Sequence, residues 1–133
     1  MNIEQLQQKM KEIIENSRYK FRAWNKSRGG WVHELVLNNM HVESITNPHE
    51  NAVISQYTGL KDKNGTEIYE GDIVKYRGLD EPYNQIEFFN GSFGYFVYKG
   101  KDYEYFVSIS NTYKKSEYWE VIGNIHENPE LMK

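Results

Sequence analysis

Cysteine is absent from the 133-residue chain, which excludes disulfides, thiolate nucleophiles and cysteine-ligated zinc, so the fold must hold by packing alone. No window approaches the roughly 18 consecutive apolar residues that a membrane-spanning helix needs. The first residues, Met1-Asn2-Ile3-Glu4-Gln5, lack a basic region followed by an apolar run, and a cytoplasmic location with no membrane partner is the expectation. Leucine and alanine are scarce, at six and two residues. Charge of one sign is also modest: the net value is −3, too small for a surface that sheathes a polyanion. What is present instead is rings. Eleven Tyr, six Phe and three Trp make up 15% of the chain, and aromatic side chains fit a pleated, half-buried surface better than a helix. A chain of this length falls within the size of one domain with one core.

Ile3, Leu6, Met10 and Ile13 recur at alternating steps of three and four, with Ile14 beside them and Gln, Lys and Glu between. This spacing predicts an N-terminal amphipathic helix over residues 1–18. Its apolar stripe packs either on its own domain, the commoner outcome, or against a second copy or another protein.

From residue 19 the period becomes two. Short alternating or aromatic runs at 18–24, 31–37, 41–46, 52–57, 73–76, 87–89, 92–98, 103–109 and 118–122 are separated by Gly, Asn and Asp clusters. Asn64-Gly65 and Asn90-Gly91 are hairpin signals, because both residue types accept the positive φ that tight turns require. Tyr103, Tyr105, Val107 and Ile109 share one face if that strand is regular. Asn128-Pro129 resembles a helix start of a turn or so. Six to eight short antiparallel strands point to a mainly β domain over residues 19–133, a small barrel or roll preceded by one helix.

Three stretches also carry a family resemblance. Lys20-Phe21-Arg22-Ala23-Trp24-Asn25, the run Gln56-Tyr57-Thr58-Gly59-Leu60-Lys61 through Gly71-Asp72-Ile73-Val74-Lys75, and Val121-Ile122-Gly123-Asn124-Ile125-His126-Glu127-Asn128-Pro129-Glu130 occur in an order that resembles the YopX proteins. The resemblance covers about residues 20–131 and leaves the leading helix outside it. It implies a phage- or prophage-encoded protein acting in a bacterial cytoplasm, and it brings no catalytic residues and no cofactor. Its glycines at 59, 65, 71 and 123 suit backbone turns.

The chemistry-bearing residues are few. His33, His41, His49 and His126 lack the short spacing that places two imidazoles on one metal, although His33 and His41 face each other if Asn38-Asn39 is a turn. Glu67, Glu70 and Asp72 crowd one turn as a candidate hydrolytic group, which needs two environments that separate their pKa values and a concave pocket around them. Asp62 and Asn64 begin like a calcium loop, but Glu67 stands where that loop needs glycine. With no phosphate-cradling loop and no nucleophile elbow, a non-enzymatic protein without metal or cofactor is expected. The strongest functional signal is the basic-aromatic run 18–28, with five positive charges and no acid. In a strand, Arg18, Lys20, Arg22 and Trp24 fall on one face, the arrangement that single-stranded nucleic acid binders use for phosphates and bases. The structural alternative is an edge strand protected by its cations. Two binding functions therefore stand: a protein-interaction or homo-oligomeric module using Ile3, Leu6, Met10 and Ile13, and a nucleic-acid binder using Arg18, Lys20, Arg22 and Trp24.

Overall fold

Why the leading segment is helical is visible at its start. In the computed structural model of the protein, which describes residues 1–15, 20–32, 52–77, 82–109 and 118–132, helix α1 spans Ile3–Glu15. The Asn2 side chain accepts from the Gln5 N–H at 2.8 Å and the Gln5 side chain accepts from the Asn2 N–H at 3.0 Å. This reciprocal cap satisfies two donors that a helix start otherwise leaves unbonded. Ile3, Leu6 and Ile13 are exposed, so the described part of the stripe is not buried on its own domain. The side chain of Met10 lies outside the described residues.

The chain forms two compact units, residues 1–57 and 58–133. In the first, strand β1 (Phe21–Asn25) pairs antiparallel with β2 (Gly30–Val32) on one side and with the first half of β3 (Ala52–Lys61) on the other. The basic-aromatic run is thus an interior strand, and the edge-strand alternative is corrected. The turn between β1 and β2 is built on Asn25, whose Oδ1 accepts from the Ser27 and Arg28 N–H groups.

The second unit begins with the rest of β3, where Gly59 adopts φ +84° within the strand rather than in a turn between strands. A tight turn leads to β4 (Glu67–Tyr69), which neighbours β3 in its sheet. Next come β5 (Asp72–Tyr76), β6 (Asn84–Gln85), β7 (Glu87–Phe89), β8 (Ser92–Lys99), β9 (Asp102–Ser108), β10 (Trp119–Asn124) and a 3-10 turn at Pro129–Met132. β5 lies between β10 and β6, and β8 between β7 and β9, all antiparallel. The fold is mostly β, its curled antiparallel sheet forming a half-barrel after one N-terminal helix, as the barrel-or-roll expectation required. Buried Ile68, Val74, Ile86, Tyr95, Ile109 and Trp119 form the core of this unit. The run expected at 41–46 lies outside the described residues.

Candidate functional site

Residues 84–89 create a concave feature among the described residues by serving two sheets in succession. β7 pairs with β8 only over Glu87–Gly94, Phe88–Phe93 and Phe89–Ser92. The next residue, Ile86, sends both backbone groups elsewhere: its N–H donates to Asp72 O at 2.8 Å and its carbonyl accepts from the Gly71 N–H at 2.7 Å. Gly71 adopts φ +87° to make that approach, a conformation glycine reaches without steric cost. Gln85 and Asn84 then continue along β5, opposite Ile73 and Val74. Beyond Gly94, β8 stays paired to β9 on one side while β7 has left the other.

The fork holds a groove of about 480 Å³. Pro82–Gln85 and Tyr95–Tyr98 line it, together with Tyr76, Trp119 and, from β9 on the far side of β8, Tyr105 and Val107. Four consecutive residues of one strand cannot all line a groove through one face, because side chains alternate. Tyr95 and Val97 lie opposite Val107 and Tyr105, so one face of the β8–β9 ladder supplies these four, while Phe96 and Tyr98 reach the groove at the edge of β8 that β7 has left. Phe93 O accepts from the Ile109 N–H on the β9 side, so alternation turns the backbone groups of Phe96 toward the edge that β7 has left. Tyr76, Tyr95 and Trp119 pack ring to ring, Tyr76 at 4.9 Å and Tyr95 at 5.4 Å from the indole. The buried Trp119 Nε1–H has no acceptor among the described residues, a deficit of about 1–3 kcal/mol.

Glu87 is the one charged side chain among the described lining residues. Desolvation, and secondly the charge of Glu70, push its carboxyl above the ordinary range; desolvation alone does the same to Glu70. The Gly71–Ile86 hydrogen bond brings these two carboxylates together.

Within the sequence-derived hydrolytic group, Asp72 and Glu67 are engaged in local hydrogen bonds. Asp72 is fully buried and its Oδ2 accepts from the Tyr69 N–H at 2.7 Å, while Glu67 accepts from the Tyr69 hydroxyl at 3.2 Å. None of Glu67, Glu70 and Asp72 lines the groove. The calcium-loop residue Asp62 is likewise committed to backbone: Oδ1 accepts from the Asn64 and Thr66 N–H groups and Oδ2 from the Val121 N–H, at 2.8–2.9 Å. The first two close the turn and the Val121 bond ties it to β10. Among the described residues no three His, Asp or Glu side chains gather as metal ligands. His33, His41 and His49 lie outside the described residues, and the His126 N–H donates to Asn124 Oδ1 within the last turn. Gly123, expected to serve a turn, sits in β10 beside a one-residue bulge. A Cβ there would lie 2.5 Å from Asn128 Oδ1, so close approach is its role.

In the first unit Lys20, Arg22 and Trp24 stay together, and Arg18 lies outside the described residues. The Arg22 guanidinium stacks 4.2 Å above Trp31, Trp31 meets Trp24 edge-on at 5.1 Å, and the Lys20 ammonium lies 5.5 Å from the Tyr57 ring. These cations rest on the protein's own rings.

A second aromatic surface covers the outer side of β7–β9. Phe89, Phe96 and Phe106 make mutual ring contacts at 5.0–5.3 Å. Tyr103 joins them against Phe96 at 5.3 Å because Glu104 is an extra residue in the β8–β9 register, between Val97–Tyr105 and Tyr98–Tyr103. Such a bulge reverses the alternation, and Tyr103 leaves the face it was expected to share with Val107 and Ile109. Sequence reasoning missed the groove. Its only trace is that nine of eleven tyrosines follow residue 58.

No helix among the described residues is long and apolar enough to cross a membrane. The family model described as YopX protein matches residues 20–133. Comparison with curated proteins yields no match. Among solved structures, the crystal structure of protein EF1440 from Enterococcus faecalis is similar, with a TM-score of 0.56 at 27% identity, covering 86% of this chain and 97% of that one.

Proposed function

The chain belongs to the YopX family, and from that premise we propose that it is a non-catalytic protein-interaction module whose groove takes an extended segment of a partner protein as an added strand beside β8. The observation that carries this reading is the β8 edge from Tyr95 to Tyr98, left by β7 and lying in an aromatic groove. Strand addition draws affinity from main-chain hydrogen bonds and selectivity from side-chain pockets on alternate positions. Phe96 offers the backbone groups, and Tyr76, Tyr83 and Tyr105 offer rings with polar tips, the amphipathic surface that protein interfaces favour. The groove's single carboxylate, with no nucleophile or second acid beside it on the lining, supports binding over catalysis.

The test is selection of ten-residue peptides on the immobilised protein, followed by amide chemical-shift mapping of the selected binder. Shifts and slowed exchange centred on Phe96 are expected. Failure to select any binder, or shifts confined to residues outside the groove, overturns the reading. The phage or prophage origin that the resemblance implies supports a role in an infected or lysogenic bacterial cytoplasm, and the exposed Ile3, Leu6 and Ile13 offer a contact for a second copy. Removing residues 1–18 should then lower the mass measured by light scattering; an unchanged mass takes the helix out of assembly.

A second reading rests on the row Lys20, Arg22, Trp24 and Trp31, which puts cations and indoles on one strand pair. It assigns single-stranded nucleic acid to that surface. Binding that weakens steeply between 50 and 200 mM salt, roughly in proportion to the phosphates contacted, is its signature; no salt-sensitive binding to oligo-dT ends it.

A further inference from the structure

Resting on the strand-addition reading above, we infer that Glu87 is the specificity determinant of the groove and selects partner segments that place a lysine or arginine beside it. The lining joins several rings to one acid and, among the described residues, contains neither lysine nor arginine. Glu87 stands at the point where β7 and β8 part, opposite Gly94, so a segment laid along β8 starts next to its carboxylate. The turn bond from Gly71 to Ile86 holds Glu70, which does not line the groove, near enough for its charge to act on Glu87. A partly desolvated carboxylate with no cation on the described lining favours an incoming cation and disfavours an incoming acid. The surrounding rings suit the same ligand, because an ammonium or guanidinium is drawn to aromatic faces. This protein already pairs those groups within itself: Arg77 lies 4.2 Å from the Tyr118 ring and 5.3 Å from that of Tyr76, which also lines the groove. The charge of the second unit points the same way. Residues 58–133 carry nine basic and thirteen acidic side chains, so its field steers cationic segments inward.

The experiment uses the full chain and three pools of fluorescein-labelled ten-residue peptides, randomised over Val, Ile, Thr and Tyr except at three positions fixed as Lys, Gln or Glu. The lysine pool should bind about three- to fivefold more tightly than the glutamine pool, the factor one partly exposed ion pair supplies, and the glutamate pool least. In E87Q the lysine preference should fall below about twofold while glutamine-pool binding persists. Equal affinities for the lysine and glutamine pools, or a preference that survives E87Q undiminished, overturn the role of Glu87 and leave strand addition standing. If no pool binds, or if bound-state amide shifts map away from Tyr95–Tyr98, the strand-addition reading falls and this inference with it.

Discussion

The two units combine charge and aromatic rings in opposite ways. In residues 20–57 the cations come with their own rings: Arg22 lies on Trp31 and Lys20 beside Tyr57, so the attraction is used within the sheet. In residues 58–133 an acid stands in a groove of rings with no cation on its described lining. A basic-aromatic strand therefore looks functional in sequence although its parts are mutually engaged, whereas the groove depends on a carboxylate that draws no attention among thirteen acids. What separates a structural charge from a recognition charge is whether the fold supplies its partner.

That contrast can be broken most severely at Gly94. A Cβ there would meet the Val107 carbonyl and come 2.7 Å from the Phe106 ring, so Gly94→Ala must part β8 from β9. A loss of about 2–4 kcal/mol in urea unfolding is expected, within the range of overpacked cores, and a variant as stable as the parent would show that the ladder gives way without strain. Asp62→Ala comes next. It leaves three backbone N–H groups without their acceptor, and about 2–3 kcal/mol should be lost, because hydrogen bonds to a charged group are worth more than neutral ones. Asp62→Asn should recover only part of this, since its amide nitrogen cannot accept.

Arg22→Ala sharpens the comparison in the first unit. If Trp31 is the cation's main partner, stability should fall by about 0.5–1 kcal/mol, and the double variant with Trp31→Ala should lose less than the sum of the singles. Strict additivity would return Arg22 to the pool of groups available for a ligand.

The smallest effect concerns pH. The raised carboxyls of Glu70 and Glu87 mean that the folded protein holds protons more tightly than the unfolded chain, whose reference value is 4.5. Their contribution is then fully present below that reference and is lost as pH rises through the folded-state values. Replacing both with Gln should flatten this part of the stability profile and raise stability at pH 7 by no more than about 0.5 kcal/mol. A profile unchanged between pH 4 and 7 would show that neither carboxylate is strained. Glu120 behaves oppositely. The Lys63 hydrogen bond first, then the charges of Lys63 and Lys75, hold it below the ordinary range.

Local features were legible wherever one residue's backbone preference decides the outcome. The Asn64-Gly65 and Asn90-Gly91 turns form as their residue types require, with Asn90 and both glycines at positive φ, and the period-two runs that fall within the described residues become strands. Misreadings arise where one inserted residue or one contact changes a regular pattern. Glu104 bulges and sends Tyr103 to the opposite face, and β3 runs on through Gly59, at positive φ, to Lys61 where alternation alone would end it at Tyr57. The strand 18–28 was identified as a strand, yet its place between β2 and β3 depends on which segments pair with it, and pairing partners are remote in sequence.

The amino-acid order by itself determined the class of this protein. Its lack of cysteine, its excess of rings, its turn residues and its three family stretches are properties of neighbours along the chain, and they settle a mostly β member of the YopX family behind one helix. Only the tertiary structure decided where a partner has room. The groove exists because both backbone groups of Ile86 bond to Gly71 and Asp72, which ends the β7 ladder one residue before Tyr95 would join it. Residues 71, 86 and 95 meet only in space, and no local preference records that choice.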